Sequence, residues 1–422
     1  MNEKKLKILV LVDTFYPVIG GVCSVVDQSC CALSKYADVT VGAVKAKNYI
    51  DKQRPYKIIR CAGYYNDITN DGMAYPEYDK NFRNMVENGN FDIIHCHTAG
   101  NFMIYAQKVS KKLHIPLVTT VHSYLKPDIK SYVKFNFLTN MILSIFINRI
   151  DKCDYIWAVS NFCRRKLKSF GIKNNIDVVY NAVDFTPQKN IDLLKEKINK
   201  MYGITNQTFV MSFISRIIKD KNIDLVIESI KLLKNKNYNF KVFVVGDGNY
   251  LNKTKKLIKK HNLQDYFICT GMIKDRSLLS AYYARTNLLL FPSYIDSAGL
   301  IHIEGATYKI PTLTISNVAQ SENIQNYYNG LIANNNAVDY ANYIDYAYNN
   351  KDLLVTMGEN AYKTLYRRYD DEKVVIELLN NYKKVVNDYN LNKEKILARH
   401  ELKNTNKSRN KVALKLKNKQ IS

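Results

Sequence analysis

Residues 291–307 read Phe291-Pro-Ser-Tyr-Ile-Asp296-Ser-Ala-Gly299-Leu-Ile-His-Ile-Glu304-Gly-Ala-Thr307. The apolar run ending at Phe291 has the length of a buried strand, and Pro292 with the small residues after it breaks the run into a loop. A helix starting near Gly299 then carries Glu304 about one and a half turns in, so Asp296 lies on the loop and Glu304 on a helix face turned back toward the strand end. Backbone N–H groups at the start of a helix lack intrahelical acceptors, and those near Gly299 and Leu300 can cradle a phosphate. Two carboxylates around such an anion site suit a hydroxyl-rich ligand, because ionised carboxylates accept hydrogen bonds from adjacent hydroxyls.

The same alternation of short apolar runs and helix-length segments extends along most of the chain, the pattern of βαβ units and parallel sheets. In the first half, strands are predicted at Ile8–Val12, Val39–Ala43, Ile93–Cys96, Leu117–Val121, Tyr155–Val159 and Ile176–Val179. A second series follows at Phe209–Ile214, Val242–Val245, Phe267–Thr270, Leu288–Phe291 and Thr312–Ile315, and sheet signals stop after Gly330. With 422 residues, 46% of them hydrophobic, the chain can fill two cores. The predicted fold is α/β, two doubly wound Rossmann-like domains facing a cleft. Its divisions are 1–185, a linker over 186–206, a second domain over 207–360, helices over 361–392 and a basic tail over 393–422.

Lys and Arg number 62 against 38 Asp and Glu, a net charge of +24. An anionic membrane surface, nucleic acid and a general compositional bias all produce such an excess. The 32 tyrosines are spread widely and no nucleic-acid-binding module appears, so a nucleic-acid-binding protein is disfavoured. Residues 403–422 hold seven Lys or Arg and no acid, the composition of a solvated tail. The segment KFNFLTNMILSIFINR, Lys134–Arg149, reads either as a helix packed on the sheet or as one lying in a membrane interface. No window is apolar enough to span a bilayer and no secretory leader is evident, so the expected location is cytoplasmic, peripheral on the inner face of the plasma membrane. Cysteines at 23, 30, 31, 61, 96, 153, 163 and 269 form no CxxC pair, which favours reduced thiols over a disulfide framework.

Other candidate site residues lie at strand ends. Asp13-Thr-Phe-Tyr-Pro-Val-Ile-Gly20-Gly21 joins a strand to a helix, and its paired glycines would let backbone amides approach a phosphate or sugar. This is not GxGxxG, and no acidic residue follows at the spacing a dinucleotide ribose needs, so a dehydrogenase is disfavoured. His95-Cys96-His97 and His122 end two further strands; with no second cluster at zinc spacing, a sugar contact at His122 stands beside a capping or core histidine. Arg216 and Lys221 lie five apart across a strand-to-helix turn, a clamp for a diphosphate in which Arg supplies a planar fork and Lys a point charge. Gly246-Asp-Gly248 reads as a tight turn after the next strand.

Taken in order, these motifs, with Val159-Ser160 and Asn181-Ala-Val-Asp184, resemble glycosyltransferase family 4, the retaining GT-B enzymes. The resemblance runs from Asp13 to about Gly330. It implies a nucleotide-sugar co-substrate, neither a tightly bound cofactor nor a catalytic metal, and retention by front-face displacement. Arg216 and Lys221 would bind the donor diphosphate, Glu304 the ribose, the amides of Gly299, Leu300 and Ile301 the phosphates, and His122 the transferred sugar. Gly20 and Gly21 would approach the donor from the opposite domain, with Gly246 in the donor-binding set. Helices after residue 360 would return to brace the first domain. The family usually has Glu where this chain has Asp296 and an aromatic where it has Ala298; the shorter Asp must reach the sugar from about 1.5 Å further back or through water.

The run His122-Ser-Tyr-Leu-Lys-Pro-Asp-Ile-Lys-Ser-Tyr is similar to segments of diacylglycerol glucosyltransferases. It implies a UDP-linked hexose such as glucose as donor and a lipid acceptor, with a capsular or wall polysaccharide as the alternative and a GT-B sugar epimerase as a remoter one.

Overall fold

The computed structural model describes residues 5–18, 20–66, 71–123, 125–126, 129–130, 133, 135–181, 190–366 and 372–392. The basic tail, residues 182–184 and much of the acceptor-like run after Ser123 lie outside them. Two parallel sheets form the framework. The first contains β1 (Lys7–Leu11), β2 (Asp38–Val44), β3 (Lys57–Cys61), β6 (Ile93–Cys96), β7 (Leu117–Val121), β8 (Tyr155–Ala158) and β9 (Ile176–Val178), in the order β3-β2-β1-β6-β7-β8-β9. A small antiparallel hairpin, β4 (Gly63–Asn66) and β5 (Asp71–Ala74), stands apart. The second sheet contains β10 (Phe209–Ile214), β11 (Phe240–Val245), β12 (Phe267–Gly271), β13 (Leu288–Phe291), β14 (Thr312–Ile315) and β15 (Gly330–Ala333), in the order β12-β11-β10-β13-β14-β15.

Both sheets are covered on both faces, which is why their central strands are nearly continuous apolar runs. In β1, Ile8 and Val10 enter one core cluster while Leu9 and Leu11 enter another. In β10, Met211 and Phe213 face one cluster and Val210 and Ile214 the other. Strand order reverses where β1 meets β6 and where β10 meets β13, and the crevices beyond these strand ends are where open α/β sheets bind ligands.

Four features depart from the sequence reading, the unpredicted β4–β5 hairpin being the first. Edge strand β3 escapes it because Lys57 and Arg60 interrupt the apolar run of KIIRC, a strand with one deeply buried face. Strand β15 lies past the point where sheet signals were expected to end; four residues beginning with Gly suffice because β14 supplies its ladder. The stretch assigned to the linker contains a helix, Ile191–Tyr202, whose Ile198 is fully buried against the second unit, while buried Arg285 holds its end by donating to Asn199 Oδ1 at 2.5 Å. After the second sheet come helices Ala337–Asn349 and Lys351–Ala361, then a helical stretch over 372–392. From that last stretch Val374, Val375, Leu378, Tyr382 and Val385 pack with Ile8, Val10 and Trp157, so the chain returns to the first sheet.

Candidate active site

At the second sheet's switch point, β10 runs into Ser215, exposed Arg216 and buried Ile217. The Ile217 N–H donates to Asp247 O at 2.8 Å, and Ile217 O accepts from Tyr250 N–H at 3.0 Å. Gly246, at φ +139°, lies where a Cβ would overlap the Ser215 carbonyl oxygen. The Gly246-Asp247-Gly248 turn therefore braces the loop that presents Arg216. Lys221 follows at the end of a single helical turn, and Asn222 anchors that turn by donating to Pro292 O at 3.2 Å. The Lys221 ammonium reaches across to Asp296, donating to Oδ1 at 2.6 Å and Oδ2 at 2.7 Å. Sequence reasoning picked both residues but not their pairing, which needs β10 and β13 to be neighbours in space.

Gly299 caps the helix Leu300–Thr307 in the left-handed conformation, φ +65°. A Cβ there would sit 2.9 Å from Gln320 Cβ and 3.2 Å from His302 Nδ1, so glycine is required by both backbone and space. His302 is fully buried and its Nδ1–H donates to the Gly299 carbonyl; burial holds its pKa down at about 4, so it locks the helix start as a neutral ring. The amides of Gly299, Leu300 and Ile301 stand at the positive end of this helix. Glu304 lies further along, partly accessible, and accepts from Tyr283 OH at 2.7 Å. Desolvation raises its pKa, opposed by the Tyr283 hydrogen bond.

The first sheet's strand ends hold a different chemistry. His97 Nδ1 and His122 Nε2 are 2.8 Å apart, and their rings stack at 5.1 Å. The His95 and His97 rings lie 3.9 Å apart; His95 also bonds Thr120 Oγ1 at 2.7 Å and Tyr382 OH, from the returning helix, at 2.5 Å. Burial pushes His122 down to about 4 and His95 to about 3, and His97 well below the usual histidine value. At the end of β1, buried Asp13 accepts from Thr98 Oγ1 at 2.5 Å, while its Oδ1 has no partner among the described residues. Desolvation raises Asp13 to about 6. The Gly20-Gly21 pair opens the helix Gly21–Leu33, and a Cβ on either would meet open space. Its loop is pinned by buried Phe15 and Val18 and by Arg60, which donates to Tyr16 O at 2.8 Å.

The two sets meet at the loop that carries Asp296. Ser297 Oγ donates to the His122 carbonyl, and Ser160 Oγ donates to Ser297 O at 2.5 Å. Ser160 also caps the helix Asn161–Ser169, accepting from Cys163 N–H at 3.0 Å. Ala298 is buried among first-domain residues, and Leu300 touches the cores of both units. Arg165 and Glu322 close the rim at 2.5 Å. Thus Lys221, Asp296, Gly299 and His122 are linked through one loop, whereas Arg216, Gly20 and Gly21 are exposed. Sequence reasoning named Asp13, His97 and Ser160 within motifs without giving them a role, and missed Thr98 and Ser297. Ser160, in the noted Val159-Ser160 pair, and the HCH triplet were available signals; nothing local marks Ser297 as the interdomain link.

Two parallel-sheet domains thus meet at a cleft that holds a helix start, a Lys–Asp pair and a cluster of neutral histidines. Comparison with known proteins gives the family. The model described as Glycosyltransferase Family 4 matches residues 19–186, and that described as Glycosyl transferases group 1 matches residues 194–364. An uncharacterized glycosyltransferase of Methanocaldococcus jannaschii is 24% identical over 88% of this chain and 96% of its own. The alpha-monoglucosyldiacylglycerol synthase of Streptococcus pneumoniae is 23% identical over 74% of this chain and 71% of its own. Among solved structures, Anabaena HepE in complex with UDP and glucose shares the fold, with a TM-score of 0.72 at 16% identity over 90% of this chain and 99% of that one. The chain belongs to the GT-B glycosyltransferases of the family-4 type.

Proposed function

We propose that this glycosyltransferase moves a hexose, glucose in the first instance, from a UDP-sugar to a lipid acceptor with retention of anomeric configuration. The observation that carries the donor reading is Lys221 seated on Asp296 beside the helix start at Gly299. In this reading the diphosphate lies against the amides of Gly299, Leu300 and Ile301, with Arg216 and Lys221 on its flank and Glu304 taking the ribose hydroxyls. Lys221 then bridges a phosphate oxygen and Asp296, and Asp296 accepts from a sugar hydroxyl. The pairing supplies a reason why a shorter carboxylate is tolerated: the ammonium holds it in place.

Transfer breaks the bond between the anomeric carbon and the leaving phosphate oxygen, and the acceptor oxygen bonds to that carbon on the same face. The acceptor proton passes to a phosphate oxygen of the departing UDP. Negative charge growing on the diphosphate is met by two cations and oriented amides that need no reorganisation, and these groups can act without a metal. A neutral His122 donates or accepts one hydrogen bond to the sugar without competing with Lys221 for the phosphate. The UDP and glucose bound to the Anabaena structure and the product named for the Streptococcus relative support the choice of donor and acceptor.

The test is to incubate the full chain with a panel of nucleotide-sugars, with and without diacylglycerol vesicles, in the presence of a chelator. UDP release from UDP-glucose that rises with diacylglycerol, together with an α-glucosyl lipid, is the expected result. Release that rises only with a soluble glycan moves the acceptor to polysaccharide, and no release from any donor overturns the reading.

A further inference from the structure

His97 has no part in the proposed transfer, yet it is built into the cleft more firmly than the residue that does. Side chains on a strand alternate, so at the end of β6 His95 and His97 share one side while Cys96 enters the core on the other. His95 is fully buried and both its ring nitrogens are taken, Nε2 by Thr120 Oγ1 at 2.7 Å and Nδ1 by Tyr382 OH at 2.5 Å. Trp157 meets the same ring edge-on at 5.2 Å. His97 lies over this fixed ring with centroids 3.9 Å apart, and its main-chain N–H donates to Leu11 O at 2.9 Å. From that base its Nδ1 stands 2.8 Å from Nε2 of His122 at the end of the neighbouring β7, and the two rings stack at 5.1 Å.

A neutral imidazole carries one N–H, so two neutral ring nitrogens at this distance make a hydrogen bond only if one donates and the other accepts. Both rings are held neutral by burial, and for His97 the neighbouring rings add to the effect. If His97 donates, the proton of His122 sits on Nδ1; if His122 donates, its Nδ1 is bare. Either way the protonation of one ring dictates that of the other, and Nδ1 is the ring nitrogen of His122 with no partner among the described residues. We infer that His97 is a positioning residue for the sugar contact: by occupying Nε2 it holds His122 in one tautomer and one ring orientation, leaving Nδ1 for the transferred sugar. Sugar hydroxyls both donate and accept, so a ring free to exchange tautomers accommodates either orientation of a hydroxyl, whereas a fixed tautomer selects one. The inference rests on the reading of His122 as the sugar contact for its purpose, while the pairing of the two rings stands on geometry alone.

The experiment is NMR of the histidine ring nitrogens in the full chain for the wild type, His97→Leu and His97→Asn, with His122→Gln to assign the His122 signals. Asn places an amide near the position of the imidazole Nδ1 and can serve as partner, whereas Leu fills similar space without a hydrogen bond. The expected result is one neutral tautomer of His122 in the wild type, averaging of two tautomers in His97→Leu, and a single tautomer again in His97→Asn. With UDP-glucose, kcat is expected to fall about tenfold or more in His97→Leu and to stay within about threefold of wild type in His97→Asn, while UDP affinity changes by less than about twofold in both. A wild-type His122 that averages two tautomers overturns the inference without recourse to any variant. So does an unchanged His122 signal or normal turnover in His97→Leu, an equal loss in the Leu and Asn variants, or a UDP affinity that falls as far as turnover. The spectra need no donor, so absence of UDP release by the wild type from any nucleotide-sugar fails the proposed function, and tautomer averaging in the wild type fails the pairing.

Discussion

The two strand-end regions that face each other across the cleft handle polarity in opposite ways. On the second domain the groups are charged and reachable: Arg216 is exposed, and Lys221 and Asp296 form a partly accessible pair beside a helix start. On the first domain three histidines are held neutral, His95 fully buried and His97 and His122 half-buried, and buried Asp13 is pushed above the usual carboxylate range to about 6. A diphosphate gains from fixed charge, whereas a sugar or an acceptor hydroxyl is better oriented by neutral donors and acceptors that do not attract water or counter-ions. The cleft thus separates an electrostatic side from a hydrogen-bonding side, and the Ser297 bond to His122 joins them.

The largest expected effect tests the uncharged side. A histidine whose folded pKa is depressed stabilises the fold fully above its unfolded value near 6.5, and that contribution is lost as pH falls toward the folded value. With His122 at about 4 and His95 at about 3, stability should drop on the order of 5 kcal/mol between pH 6.5 and 4, followed by denaturant unfolding across that range. A flat profile would show that these rings are solvated and the contrast false.

Next, Lys221→Ala should lower turnover about 100-fold and Arg216→Ala about tenfold while both remain folded, measured by UDP release and thermal melting. Lys221 is set larger because it holds Asp296 and, in the proposed reading, also meets the phosphate. Near-normal activity in both variants would remove the electrostatic side of the comparison.

Asp13→Asn carries the opposite sign of stability change. Because burial raises this carboxyl to about 6, its contribution is present below its ordinary pKa and lost as pH rises through about 6. The neutral amide should therefore stabilise the protein by about 2 kcal/mol at pH 8 and by little at pH 4. A melting difference that is constant with pH would contradict the assigned environment. The smallest effect is expected from Asp296→Glu, which lengthens the arm that holds Lys221: a change of about fivefold in turnover, with preference among donor hexoses shifting more than UDP affinity. A UDP affinity that changes more than the sugar preference would place Asp296 on the phosphate rather than on the sugar.

Much of the framework was legible because a parallel strand buried on both faces must be a continuous apolar run, as in Ile8–Val12 and Phe209–Ile214. Strands β3 and β15 were not, since one is edged with charge and the other is four residues long and stabilised by its neighbour. Candidate residues were readable by type and position: Gly20, Gly21, His122, Arg216, Lys221, Asp296 and Gly299 sit where a strand hands over to a loop or helix, and Glu304 lies within the helix that follows. Gly246 was readable as a turn, but its φ and its contact with Ser215 show that it braces Arg216's loop.

By itself the sequence determined the doubly wound architecture, the Gly299 helix start and the identities of the cations, because each follows from local periodicity, chain stiffness and side-chain chemistry. Only the tertiary structure decided that Lys221 holds Asp296, that His122 is stacked on His97 and neutral, and that Ser297 ties the two domains. Those relations join residues separated by 25 to 175 positions, and local spacing carries no information about which strand ends become neighbours once two sheets have formed. The helix Asn136–Ile150 belongs with them, its Leu143, Ile147 and Ile150 buried in the first domain's core and its Phe137, Met141 and Ile145 exposed, since an apolar helix shows its second face only after the first has been buried.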